Sequence, residues 1–286
     1  MERSLYIGII QPSSPPEREL LEKGLEVLRK KGIPFKSLVD LEESPPSHKA
    51  FLLYEALTCG KFTHLWAVRG GAGAWKLLPY LDDLFKESYV KQPYLPQLIG
   101  FSDITILHAY FWQKFGKKGL HAPMIVHLPN LVGEAKELLW KVLHQSCKEV
   151  KLSGRAYQEG EASGYLLGGN LSIVASLCGT PYFPLKQELI LFLEDIGEKP
   201  YRLERAFLQI LFSLPKGLLK GIVIGDLGDM EASKLLTSLR EFLPSEIPIA
   251  YAFPFGHIPN NCPLLFGAKA KLKVRGEEAI LNFPLD

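Results

Sequence analysis

Short apolar runs alternate with amphipathic stretches through the first half of the chain. Residues 5–10, Leu-Tyr-Ile-Gly-Ile-Ile, read as a strand that enters a loop at Gln11-Pro12-Ser13-Ser14. Leu20, Leu21, Leu25 and Leu28 recur at helical spacing, which predicts a helix over 17–31 with these four leucines on one face. The basic run Arg29-Lys30-Lys31 before Gly32 suits the carbonyl end of that helix, and Lys117-Lys118 before Gly119 reads the same way. Residues 64–68 form a second apolar run, which leads into Arg69-Gly70-Gly71. Residues 98–101 form a third, followed at once by a helical pattern over 103–115. Strands that alternate with helices predict a doubly wound parallel sheet, whose ligands gather beyond the carboxyl ends of the strands. Both glycine-containing turns fall at such ends.

The texture changes near residue 134. A helix is expected over 134–145, then strand-like pieces at 153–155, 189–193, 221–225, 247–252 and 268–274, broken by Gly and Pro. Helical patterns remain at 171–177 and 200–214. The predicted fold class is α/β: an N-terminal doubly wound parallel-sheet domain over 1–145, then a smaller, mixed, barrel-like β-rich C-terminal domain over 146–286.

Composition narrows the function classes. The 286 residues suffice for one large domain or two modest ones. Lys and Arg number 33 against 31 Asp and Glu, a net charge of +2 with no basic stripe, so no nucleic-acid partner is expected. No stretch approaches the ~20 apolar residues of a membrane span, and the apolar run at 5–10 is too short for a secretion-signal core. Cys59, Cys147, Cys178 and Cys262 are scattered, without a C-x-x-C pair, and are expected to be reduced and mostly buried. A cytoplasmic protein that contacts no membrane is the expectation.

Four short segments can carry chemistry. In Gly100-Phe101-Ser102-Asp103 a serine stands between a strand and a helix start, where its hydroxyl can be raised on a tight turn beside backbone N–H groups. Ile104 occupies the position that G-x-S-x-G gives to glycine, so a plain helix cap is the competing reading. Arg69-Gly70-Gly71-Ala72-Gly73 lets a backbone approach a ligand closely and can offer an N–H to an oxyanion. It fits neither common nucleotide-loop spacing, and an ordinary turn is its alternative. Ile190-Leu191-Phe192-Leu193 drives a strand that ends in Glu194-Asp195; a carboxylate there can orient a histidine, cap a helix, or pair with Arg202 or Arg205. His257 follows Phe255-Gly256 and the apolar run 249–253, and a lone histidine is as readily structural. No histidine falls in H-x-x-H or H-x-x-E, so no zinc-peptidase reading arises. One serine, one carboxylate and one histidine at strand ends admit a serine hydrolase, because a hydroxyl needs a base and the base needs an acceptor on its other nitrogen.

The same segments resemble the serine LD-carboxypeptidases, also called muramoyl-tetrapeptide carboxypeptidases, over nearly the whole chain. The blocks that carry the resemblance are IGIIQPSSP at 7–15, RGGAGAWKLLPYLD at 69–82, IGFSDITILH at 99–108 and HAPM at 121–124. They continue with GGNLSIVASLCGTPY at 168–182, ILFLEDIGEKPYRLERAF at 190–207, GIVIGD at 221–226 and PFGH at 254–257. The resemblance implies a triad of Ser102, Glu194 and His257, an oxyanion hole from the N–H groups of Gly71 and Asp103, and a site in a cleft between two domains. It also implies a homodimer without cofactor or metal, and a murein tetrapeptide substrate that loses its terminal D-alanine. Arg69 is the candidate cation for the substrate's terminal carboxylate. Relatives that hydrolyse a peptidyl-nucleotide amide share this triad, so that substrate is the alternative, with a non-catalytic binding protein as the other. Ala72 replaces the usual tyrosine of R-G-G-Y-G, Ala122 the glycine of H-G-P, and Glu204 an aspartate. None of these falls on the triad.

Overall fold

The computed structural model describes residues 4–87, 95–183 and 187–285. The chain divides into two compact units, the first ending at Leu131 and the second beginning at Val132.

In the first unit the order of elements is β1 (Ile7–Ile10), α1 (Arg18–Lys30), β2 (Phe35–Ser37), α2 (Pro46–Thr58), β3 (His64–Ala67), α3 (Leu78–Glu87), β4 (Gln97–Ile99), α4 (Thr105–Phe115) and β5 (Gly119–His121). The strands pair in parallel in the order β5-β4-β3-β1-β2. Chain order thus reverses beside β1, and at such a reversal loops diverge and leave room for a ligand. Ile7, Ile9, Leu65, Trp66, Ala67 and Ile99 are fully buried, as expected of strands covered on both faces. Helix α1 buries Leu21, Gly24, Leu25 and Leu28. Leu20, expected on that face, stays 36% exposed, since the face turns on Gly24, whose missing side chain admits the Ile125 backbone. Lys117-Lys118 lie beyond the end of α4, which closes on left-handed Gly116 rather than at Gly119.

The second unit contains α5 (Gly133–Leu143), β6 (Glu149–Gln158), β7 (Gly160–Asn170), α6 (Leu171–Leu177), β8 (Leu189–Glu194), α7 (Pro200–Ser213), β9 (Leu219–Ile224), α8 (Ala232–Ser238), β10 (Ile249–Tyr251), β11 (Leu264–Phe266), β12 (Lys269–Arg275) and β13 (Glu278–Pro284). Seven of its strands close a barrel in the order β10-β6-β13-β12-β7-β8-β9. The run β7-β8-β9-β10 is parallel, and the remaining neighbours are antiparallel. The two halves carry different sequence signatures. Strand β12 alternates exposed lysines with buried Ala270, Leu272 and Val274, whereas β8 is buried at every position. The barrel fold is as expected, but the unit is not the smaller one. Helix α5 belongs to it rather than to the first unit, because the Asn260 carboxamide accepts a hydrogen bond from the Ala135 N–H at the start of α5, 3.0 Å away.

Candidate active site

Ser102 sits just past β4 in a backbone that is under strain. Its φ is +60°, Phe101 before it is extended, and Gly100 has φ +158°. A left-handed backbone costs a residue with a side chain roughly 1–2 kcal/mol, so the turn is held by its surroundings. Ser102 therefore does not cap the following helix; Phe101 occupies the cap position of the 3₁₀ turn that opens at Ser102. Gly100 packs against Ala67 and Ile104, where a Cβ would lie about 3 Å from both side chains. The buried His108 ring meets the Gly100 carbonyl through Nε2 at 2.9 Å. Burial lowers His108 to about 4, against the pull of that bond, so the ring is neutral and Nε2–H donates.

The glycine loop lies directly against this turn. A Cβ on Gly70 would stand 3.2 Å from both Cβ and Oγ of Ser102. Gly71, with φ +105°, is exposed and faces Ser14, whose Oγ accepts the Ala72 N–H at 3.1 Å. Asp103, only 4% exposed, accepts the Ser13 hydroxyl at 2.6 Å and the Ala74 N–H at 3.0 Å, both on Oδ2. Burial raises its carboxyl, opposed by those two bonds and by the Lys49 charge. Arg69 is half-buried and donates through Nη1 to the Pro15 carbonyl at 3.2 Å. Ala72 is exposed within the loop, and Ala122 is fully buried, its N–H donating to the Gly100 carbonyl at 3.4 Å.

In the second unit the apolar run of β8 delivers Glu194 to a fully buried position. Its Oε2 lies 2.7 Å from Nδ1 of His257, so neither Arg202 nor Arg205 is its partner; Arg202 pairs with Glu198 instead. The approach depends on Gly256, which has φ +121° and whose Cβ would stand 3.1 Å from the Cβ atoms of both Glu194 and Asp226. Buried Asn261 fixes the turn by accepting the Gly256 N–H at 3.1 Å. Burial alone would lower His257, but the Glu194 hydrogen bond and charge, with Asp195 and Asp226, outweigh it and the imidazole is raised. Burial pushes the Glu194 carboxyl up, against the His257 bond. Asp195 is occupied in holding the start of α6, where it accepts from the Ser172 N–H and hydroxyl and from the Asn170 amide.

Sequence reasoning named Ser102, Glu194, His257, Gly71, Asp103 and Arg69, but missed the side chains that hold them. Ser13, Lys49 and the Asp103 carboxyl are one such group and His108 and Asn261 are others, while Asp226 acts on His257 through its charge. Of the cysteines, all four are free and Cys262 alone is buried, which corrects the expectation that most are. Among the described residues no three His, Cys, Asp or Glu side chains gather closely enough to hold a metal ion.

An imidazole held through Nδ1 by a buried carboxylate is the machinery of hydrolases that activate a hydroxyl. Known proteins place the chain more narrowly. The LD-carboxypeptidase N-terminal domain matches residues 7–122 and the LD-carboxypeptidase C-terminal domain matches residues 163–272. A putative carboxypeptidase of Rickettsia conorii is 34% identical, over 73% of this chain and 67% of its own. The murein tetrapeptide carboxypeptidase of Pseudomonas aeruginosa is 28% identical, over 93% of this chain and 92% of its own. The crystal structure of muramoyltetrapeptide carboxypeptidase from Oxalobacter formigenes superposes with a TM-score of 0.80 at 26% identity, covering 97% of this chain and 98% of that one. The chain belongs to the LD-carboxypeptidase family of serine-type peptidases.

Proposed function

We propose that the protein removes the terminal D-alanine of murein tetrapeptide by hydrolysing the amide that joins it to the L-centre of a diamino acid, as a step in peptidoglycan recycling. The observation that carries the chemistry is the 2.7 Å bond between His257 Nδ1 and the fully buried Glu194 carboxylate. It fixes the tautomer, so that Nε2 is the nitrogen that takes a hydroxyl proton. Ser102 is the nucleophile, and its +60° backbone supports that role because strain of this kind persists where function requires it. Ser102 Oγ adds to the scissile carbonyl as His257 accepts its proton. The tetrahedral oxyanion is stabilised by the N–H groups of Gly71 and Asp103. His257 returns the proton to the leaving D-alanine nitrogen as the C–N bond breaks, and the same base then activates water to release the acyl group. Arg69 is assigned to the substrate's terminal carboxylate. The relatives named for murein tetrapeptide and muramoyltetrapeptide support this substrate. The four free cysteines accord with a reducing cytoplasm, and the family resemblance supports a homodimer.

The test is mass analysis of products from tetrapeptides ending in D- or L-alanine and from a peptidyl-nucleotide amide, using wild type and Ser102→Ala. The expected result is D-alanine release by the wild type and a loss on the order of 10⁴–10⁶ in turnover by a folded Ser102→Ala. Near-normal release by that variant removes Ser102 from the mechanism. Preference for the nucleotide amide reassigns the substrate while keeping the chemistry.

A further inference from the structure

Asp103 invites a question that its backbone N–H does not answer. An aspartate 4% exposed gives up hydration, and a buried carboxylate persists only where donors replace the lost water. Its Oδ2 receives two, from segments far away along the chain. The Ser13 hydroxyl, at 2.6 Å, belongs to the loop after β1, and the Ala74 N–H, at 3.0 Å, follows the glycine loop. A further support stands behind Ser13. Lys49 on α2, its side chain 6% exposed, donates to the Ser13 carbonyl at 2.8 Å and pairs with Glu43 at 2.6 Å. The glycine loop needs such restraint, since Gly71 and Gly73 occupy positive φ and place no Cβ in contact with their surroundings. Asp103 is also the residue after Ser102, so any drift of its carboxylate moves the nucleophile turn and its own N–H together.

We infer that Asp103 is a positioning residue: its carboxylate, backed by Ser13 and Lys49, clamps the glycine loop to the nucleophile turn and so fixes the oxyanion donors relative to Ser102 Oγ. This rests on the reading of Ser102 as nucleophile. The clamp acts on geometry needed in the transition state rather than on substrate affinity. Its loss therefore lowers kcat and leaves KM nearly alone.

The experiment measures kcat and KM on the tetrapeptide, the rate of fluorophosphonate labelling of Ser102, and melting curves. The variants are Asp103→Ala, Asp103→Asn and Ser13→Ala, with Ser102→Ala alongside. Asp103→Ala is expected to lose on the order of 10² in kcat, the scale of a misplaced oxyanion donor, with labelling slowed in step. Ser13→Ala, which removes one of the two donors, is expected to lose about tenfold, with KM within about threefold of wild type. Asp103→Asn keeps an acceptor oxygen and is expected to recover part of the Asp103→Ala loss. If Asp103→Ala does not fold, Ser13→Ala and Asp103→Asn decide the matter. Folded Ser13→Ala and Asp103→Asn with wild-type kcat and labelling overturn the clamp, as does a raised KM at unchanged kcat. Should Ser102→Ala itself still release D-alanine, the nucleophile assignment falls first, and a silent Ser102→Ala beside fully active clamp variants sinks the clamp alone.

Discussion

The serine turn of the first unit and the Glu194–His257 pair of the second are built by different physics. Around Ser102 the work is done by backbone shape: φ of +60° at Ser102, +158° at Gly100, and a glycine at position 70, where a Cβ would crowd Ser102 at 3.2 Å. Around His257 it is done by charge: a carboxylate with no exposure, an imidazole held 2.7 Å from it, and two further aspartates that favour the protonated ring. A nucleophile needs its hydroxyl presented at a fixed angle, which a strained turn supplies. A base needs its proton affinity set, which burial and a neighbouring charge supply. Each region also borrows the other's device, a buried carboxylate at Asp103 beside Ser102 and a positive-φ glycine at 256 beside His257. The sharpest difference therefore lies in the pH profile: bulk added at the serine turn should leave it alone, and charge removed at the histidine should shift it.

Removing the charge should have the largest effect. Glu194→Gln keeps the shape but can hold the wrong imidazole tautomer, and the expected fall in kcat is on the order of 10⁴. The pH profile of the residual activity sharpens the point. Because Glu194 raises His257, its neutralisation should move the acid limb of kcat/KM to lower pH, since the ring then loses its proton more readily. An acid limb that stays in place would mean that the limb belongs to another group.

Adding bulk should cost less. Gly70→Ala places a Cβ 3.2 Å from Ser102 Cβ and Oγ and 3.3 Å from Met124 Cε, so something must give by a few tenths of an ångström. The expected loss in kcat is about 10²-fold, with the pH profile unchanged because no charge moves. Fluorophosphonate labelling should slow in parallel. Unaltered labelling would show that the loop yields without disturbing the serine.

The same contrast explains what the sequence revealed. Element types were legible where apolar periodicity was strong, as in α1 and α7, or where an apolar run was unbroken, as in β3 and β8. The triad candidates could be picked out because each follows an apolar run, and strand ends are where α/β folds keep their chemistry. The supporting residues lacked any such mark. Ser13 meets Asp103 across 90 residues of chain, and Asn261 looks like any polar loop residue until Gly256 folds back onto it. Long-range partnership of this kind leaves no periodicity or spacing to read. Strand β2, only three residues with little burial, gave no pattern either.

The smallest effect concerns stability and separates the regions by pH. His108, bonded to the Gly100 carbonyl behind the serine, and His64, at the start of β3, are both lowered to about 4 by burial, His64 with help from the Lys117 charge. Between that value and the ordinary 6.5 the unfolded chain binds protons that the folded chain refuses. Stability contributed by these rings is therefore complete above pH 6.5 and is lost as pH falls toward 4. From pH 7 to pH 5 each histidine should cost on the order of 2 kcal/mol. Urea unfolding of wild type and His108→Gln at both pH values measures it. The glutamine can still donate to Gly100 but does not titrate, so on acidification the variant should lose on the order of 2 kcal/mol less stability than the wild type. An equal loss in both proteins would trace the acid sensitivity elsewhere and leave the serine turn no more acid-labile than the barrel.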